Sequence, residues 1–140
     1  MRDRVFVDTN LFVYAALEDQ FHTEKRRRSI ELLGGFGDAT VLISTQILNE
    51  FYSVMLRHGI DDARIQEKLS VIIKETTVTG VKLKTVRACW KLKTVYGYSY
   101  WESLVLASAL ENSCSIVYTE DMQHGQLIEK ALTITNPFER

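Results

Sequence analysis

The sequence predicts an α/β protein, a three-layer α/β/α sandwich around a mainly parallel central sheet, and three observations predict it. Short unbroken apolar runs, "VFV" at residues 5–7, "VLI" at 41–43 and "IVY" at 116–118, have the length and side-chain types of strands buried on both faces. The segments between them carry apolar residues three and four apart, as amphipathic helices do. With 140 residues, 46% of them hydrophobic, the chain can bury one continuous core.

Local signals place each element in turn. "RVFV" at 4–7 is the first strand, and "LFVYAAL" is a short helix entered through Thr9 or Asn10 as its cap. Thr23 caps a helix that runs to Leu33 and closes on Gly34. "TVLIS" at 40–44 is the second strand. A helix from Ser44 or Thr45 to about Arg57 has Ile47, Phe51, Val54 and Met55 as its apolar stripe. Asp61 or Asp62 caps another, in which Ile65, Leu69, Ile72 and Ile73 recur at helical spacing. "TTVTGV" at 76–81 is a third strand. Leu83, Val86 and Trp90 mark a helix to about Thr94, and after the Gly97 loop comes another from about Tyr100 to Asn112. Strands at 116–118 and, as "LTIT", at 132–135 complete the map.

Nothing divides residues 1–140 into more than one domain: Pro137 is the only proline, and no repeat or low-complexity stretch interrupts the pattern. The charged start, "MRDRVFVDTN", resembles neither a secretory signal nor a membrane span, so a cytoplasmic protein with no membrane contact is expected. Cys89 and Cys114 are far apart in apolar surroundings and read as reduced core thiols. A net charge of -1 argues against coating nucleic acid by bulk electrostatics. Two basic runs, Lys25 to Arg28 and Lys82 to Lys93, read on their own as solvated helix faces.

The acids are placed less ordinarily. In open parallel sheets ligands bind beyond the carboxyl ends of the strands, and Asp8 and Asp121, the latter beside Glu120, follow two such ends. Glu50 lies three residues after Ile47 and four before Val54, on or beside an apolar stripe where an unpaired charge is costly. Glu102 opens a strongly apolar helix between Trp101 and Leu104. Each alone has a plain explanation: a cap for Asp8, a dipole partner for Glu102, a buried ion pair for Glu50, a turn for Asp121. Four carboxylates converging on one sheet edge would raise one another's pKa unless a cation joined them. All-oxygen ligation suits Mg²⁺ or Mn²⁺ and disfavours zinc; His22, His58 and His124 are scattered and show no ligand spacing.

The segments "VFVDTN", "ILNEFY" and "YSYWESLVLASALENSCSIVYTEDMQHGQ" resemble a PIN domain of the kind found in VapC-type ribonuclease toxins of bacterial and archaeal toxin–antitoxin pairs, and the likeness runs from Val5 to Phe138. The resemblance implies Mg²⁺- or Mn²⁺-dependent hydrolysis of RNA phosphodiester bonds by a metal-activated water. It implies Asp8, Glu50, Glu102 and Asp121 as the acidic quartet, Thr119 orienting Asp121 or the water, and Asn10 with Thr9 supporting the geometry around Asp8. The family's third acid is usually Asp; Glu102 reaches one methylene further. An antitoxin covering the acidic cleft and a homodimer are implied as well.

On this reading Asp8 is the central ligand, Asp121 and Glu102 complete one metal site, and Glu50 shapes a second or its waters. The basic runs then become candidates for RNA backbone contacts, in particular Lys25, Arg26, Arg27, Arg28, Lys84 and Arg87, with Tyr96, Tyr98 or Tyr100 as stacking surfaces. A haloacid-dehalogenase-like phosphatase would need a second acid where Asn10 stands, and a receiver domain would need adjacent acids at the first strand end. The remaining alternative is a PIN domain that binds RNA or a protein without cutting.

Overall fold

Phe6 and Val7 project to opposite faces of the first strand, yet both are fully buried, so the sheet is covered on both sides. This computed structural model describes residues 3–18 and 20–139, which leaves Met1 and Arg2 of the charged start outside the described residues. In chain order the elements are β1 (Arg4–Val7), α1 (Thr9–Ala16), α2 (Thr23–Gly34), β2 (Thr40–Ser44), α3 (Thr45–Arg57) and α4 (Asp62–Glu75). Then follow β3 (Thr77–Thr79), α5 (Leu83–Tyr96), α6 (Tyr100–Glu111), β4 (Ile116–Tyr118), β5 (Leu127–Ile128) and β6 (Leu132–Thr135).

Among the described residues the sheet has the order β3-β2-β1-β4-β6-β5, parallel except for β5 against β6. The chain steps outward from β1 to β2 and β3, then returns through α5 and α6 to lay β4 on the other side of β1. The order therefore reverses between β1 and β4, and that is where an open parallel sheet leaves a crevice at its carboxyl edge. Register brings the two strand ends level, with Val7 opposite Tyr118.

Of the helices, α6 is the most enclosed: residues 103–109 are all buried, which explains its apolar character all round. It packs against α5, and α1 packs with α2 and α3. Cys89 and Cys114 are free and buried, as expected of core thiols. No described helix is long and apolar enough to cross a membrane.

Several boundaries differ from expectation, each for a local reason. Asp8, not Thr9 or Asn10, caps α1. Helix α2 takes in Gly34 and closes on Gly35. Strand β3 is shorter than the apolar run because the Thr76 hydroxyl still bonds back to Ile72 O at 2.7 Å, as the last turn of α4. Helix α5 continues to Tyr96, where Gly97 takes a left-handed conformation (φ 77°) and its N–H returns to Lys93 O. Strand β5 had no sequence signal. It turns into β6 through Glu129 and Lys130, both at positive φ, where hairpins prefer Asn-Gly. Tyr96 supports this turn by accepting from the Glu129 N–H and donating to Glu129 Oε2, each at 2.9 Å.

Truncation should reveal where packing matters. Leu106→Ala, at a fully buried position of α6, is expected to lower stability by about 2 to 5 kcal/mol. Val95→Ala, on the exposed face of α5, is expected to change it by less than about 0.5 kcal/mol. Denaturant unfolding of the two variants against the parent checks both.

Candidate active site

Asp8 stands where the β1 ladder stops. Its N–H is still paired with Tyr118 O of β4 at 3.0 Å, so the last strand bond sets where the side chain begins. Its extended backbone suits a helix cap, and Oδ1 accepts from the Thr9 N–H at 2.7 Å. Capping uses only that oxygen. Oδ2 accepts from Thr119 Oγ1 at 2.8 Å. Thr119, fully buried after β4, also accepts from the Asp121 N–H on the same hydroxyl, at 3.1 Å. One hydroxyl thereby joins the acid that follows β1 to the acid that follows β4.

Asp8, Glu50, Glu102 and Asp121 line one cavity of about 300 Å³, reached from β1, α3, α6 and the segment after β4. The Thr9 hydroxyl donates to Glu50 Oε1 at 3.0 Å, and Asn10 Nδ2 donates to Asp121 Oδ2 at 3.0 Å. Glu102 sits in the first turn of α6, its N–H capped by Ser99 Oγ at 3.2 Å, so the dipole role coexists with a place in the cavity wall. Glu120 does not line the cavity: it accepts from the Tyr14 hydroxyl, from Lys25 Nζ at 2.7 Å and, at 3.5 Å, from Asn10 Nδ2.

The electrostatics record how close the acids are. Burial pushes the Asp8 carboxyl up to about 6; the bonds from Thr119 and Thr9 hold it down in part, and the charges of Asp121 and Glu50 add to the rise. Burial also raises Glu50, against the bond from Thr9, with the Asp121 charge adding. Asp121 keeps part of its surface in solvent, yet partial burial of its carboxyl raises it, followed by the charges of Glu120 and Glu102. Mutual repulsion among carboxylates is what a cation relieves.

The donor set fits such an ion. It is all oxygen, and Gln46, whose Nε2 donates to Trp101 O at 3.1 Å, leaves its Oε1 buried without a partner in the same wall. Among the described residues no three Asp, Glu, His or Cys side chains converge tightly enough to enclose an ion on their own. A small hard ion that takes one or two carboxylates and keeps several waters matches that spacing, whereas zinc does not.

Other expected contributors lie apart from the cavity. Lys25 is committed to Glu120 and sits over the Tyr14 and Phe138 rings. Arg27 bridges Glu24 and Glu31, each at 2.6 Å, and Arg28 binds Glu24 at 3.1 Å, because these charges fall one helical turn apart. Arg26 faces Glu18, and Lys84 faces Glu111, both at 3.9 Å. None of Lys25 to Arg28, Lys84 or Arg87 lines the cavity. The Tyr96 and Tyr98 hydroxyls bind Glu129 and Gln126, and Tyr100 stands edge-on to Trp101.

Gln46, Arg57 and Trp101 do line it, and the sequence reading passed over them. A signal existed for two. Gln46, Glu50 and Arg57 are four and seven residues apart and so share one face of α3.

Two consequences can be measured. Thr119→Val keeps the shape but removes both bonds of the hydroxyl; it is expected to lower stability by about 1 to 3 kcal/mol and to raise the Asp8 carboxyl further, read by unfolding and by a carboxyl NMR titration. Asp8 itself opposes folding when ionised. That penalty is absent below its ordinary value of 3.8, grows as pH rises through about 6, and is complete above it. Asp8→Asn should therefore stabilise the metal-free protein by about 1 to 3 kcal/mol at pH 8 and lose that advantage at pH 4, in unfolding experiments with chelator present.

Solved structures share this architecture. VapC20 of Mycobacterium tuberculosis, a Sarcin-Ricin loop cleaving toxin, is 14% identical, covers 81% of this chain and 86% of its own, and superposes with a TM-score of 0.67. VapBC2 of Rickettsia felis, bound to a DNA fragment from its promoter, gives 18% identity, 95% and 99% coverage and a TM-score of 0.66. A toxin–antitoxin complex from Klebsiella pneumoniae gives 15%, 97% and 99%, and 0.70. At such identities the likeness carries the fold. No curated protein sequence is significantly similar to this chain. The PIN domain family matches residues 5–128, and the chain belongs to that family.

Proposed function

We propose that this protein is a Mg²⁺- or Mn²⁺-dependent endoribonuclease, the toxin of a type II toxin–antitoxin pair. The observation that carries the reading is the meeting of Asp8, Glu50, Glu102 and Asp121, from four separate elements, in one cavity at the carboxyl edge of the sheet. Asp8 and Asp121, joined through Thr119, would hold the ion directly, with Glu102 and Glu50 reaching it through its waters. Bound there, it supplies positive charge against the phosphate and lowers the pKa of a water.

The chain's own groups do the positioning. Thr119 fixes the Asp8 carboxylate and the backbone of Asp121, and Asn10 fixes the Asp121 side chain. Glu50, raised by burial and oriented by Thr9, is the group suited to accept a proton from the attacking water. Because water attacks, the 2′-hydroxyl is not needed chemically, and preference for RNA falls to the walls of the cavity. The related folds seen in toxin–antitoxin complexes support an antitoxin as partner. A second copy of the chain is the other proposed partner, and a groove lined by Phe12, Leu33, Phe36 and Val71 offers apolar surface for a protein contact.

Asp8→Asn is expected to abolish metal-dependent cleavage of a structured RNA while leaving the circular dichroism spectrum unchanged. Wild-type activity in that variant, or in excess chelator, would refute the assignment. Binding of RNA by the parent without any cleavage across a Mg²⁺ and Mn²⁺ titration would instead identify a binding module.

A further inference from the structure

We infer that the wall of the acidic cavity formed by α3 and the start of α6 is a nucleotide subsite, in which Trp101 stacks on an unpaired base and Arg57 holds a neighbouring phosphate. The inference rests on the nuclease reading above and deepens it, naming the part of the substrate that this wall takes. Trp101 is 61% exposed although it opens a helix whose next seven residues after Glu102 are buried. A lone exposed aromatic would need no explanation. This one borders the same cavity as the four acids, as do Val54 and Val105, so the α3 and α6 walls that carry Glu50 and Glu102 also offer apolar surface. The residue is also held: its carbonyl accepts from Gln46 Nε2, and the Tyr100 ring meets it edge-on, centroids 5.2 Å apart at 82°. An indole anchored at its backbone, braced by one ring and largely open to solvent is a stacking platform.

Arg57 supplies the complementary charge. It lines the cavity with the acids yet makes no ion pair or hydrogen bond with any described residue, whereas Lys25, Arg27 and Arg28 are all engaged by glutamates. Two turns along α3 from Glu50, its guanidinium is available to a polyanion that the carboxylates would otherwise repel. A duplex keeps its base faces stacked inside, so a wall of this kind takes a single strand or a loop with a base turned out.

The test uses the Asp8→Asn protein, which should bind without cutting, with an oligouridylate as single-stranded probe and an RNA duplex as control. In a Trp90→Phe background Trp101 is the sole indole, since the chain has two tryptophans. Its emission is expected to be quenched by the oligouridylate and not by the duplex, and Trp101→Ala should weaken binding about 10-fold, with Trp101→Phe restoring most of it. Arg57→Gln should reduce the slope of log K against log salt by about 0.7, the share of one single-strand phosphate. Unchanged Trp101 emission at saturating oligouridylate, or an unaltered salt slope, while the parent protein cleaves RNA, would overturn the subsite and leave the nuclease standing. Absence of both cleavage and binding would overturn the two together.

Discussion

The hydrogen bonds made by one buried hydroxyl organise this molecule's candidate site. Thr119 receives the Asp121 N–H and donates to Asp8, so two acids 113 positions apart in the chain share one anchor. The bond is possible only because β1 and β4 run parallel with Val7 level with Tyr118. That pairing in turn depends on α5 and α6 carrying the chain back from the sheet edge to its centre. Geometry at the level of one oxygen therefore rests on topology at the level of the sheet.

The arrangement opposes the protein's own stability. Asp8 is buried and its carboxyl is pushed up to about 6, with Asp121 and Glu50 adding to the rise. Thr9 and Thr119 offset part of this through bonds to the charged form, and the Lys25 charge does the same for Asp121. The repulsion that survives is what the proposed divalent ion would relieve, with water filling the coordination that the carboxylates leave open. Strain of this kind is tolerated because it sits on strand ends and helix starts that are over-determined by packing.

Charge elsewhere is used for holding the fold. The Lys25 ammonium closes on Glu120, Arg27 and Arg28 pair along their own helix and Arg26 faces Glu18, and none of the four lines the cavity. The cation left at the site is Arg57 and the exposed aromatic is Trp101, on a wall that also carries Val54 and Val105. Glu50 and Glu102 stand on the same helices, and acid beside apolar and basic groups suits a ligand that is itself divided into phosphate and base.

Strand runs at 4–7, 40–44 and 116–118 were legible from their unbroken apolar cores and that at 132–135 from its alternation, and each matches the observed bounds. The acids were legible as a set for a similar reason, since a carboxylate at a strand end or on an apolar stripe demands an explanation. Strand β5 was not, because its turn uses Glu129 and Lys130 in a conformation that their side chains do not favour and that Tyr96 supports from another helix. Where the basic runs lie was not legible, because a row of lysines and arginines looks the same whether or not a glutamate stands one turn away. Periodicity and composition alone thus specified which residues must be inside and which acids are out of place. Pairing across the sheet was needed to say which oxygens meet, which cations already have partners, and that Arg57 and Trp101 share the acids' cavity, since those are relations between segments that no local pattern encodes.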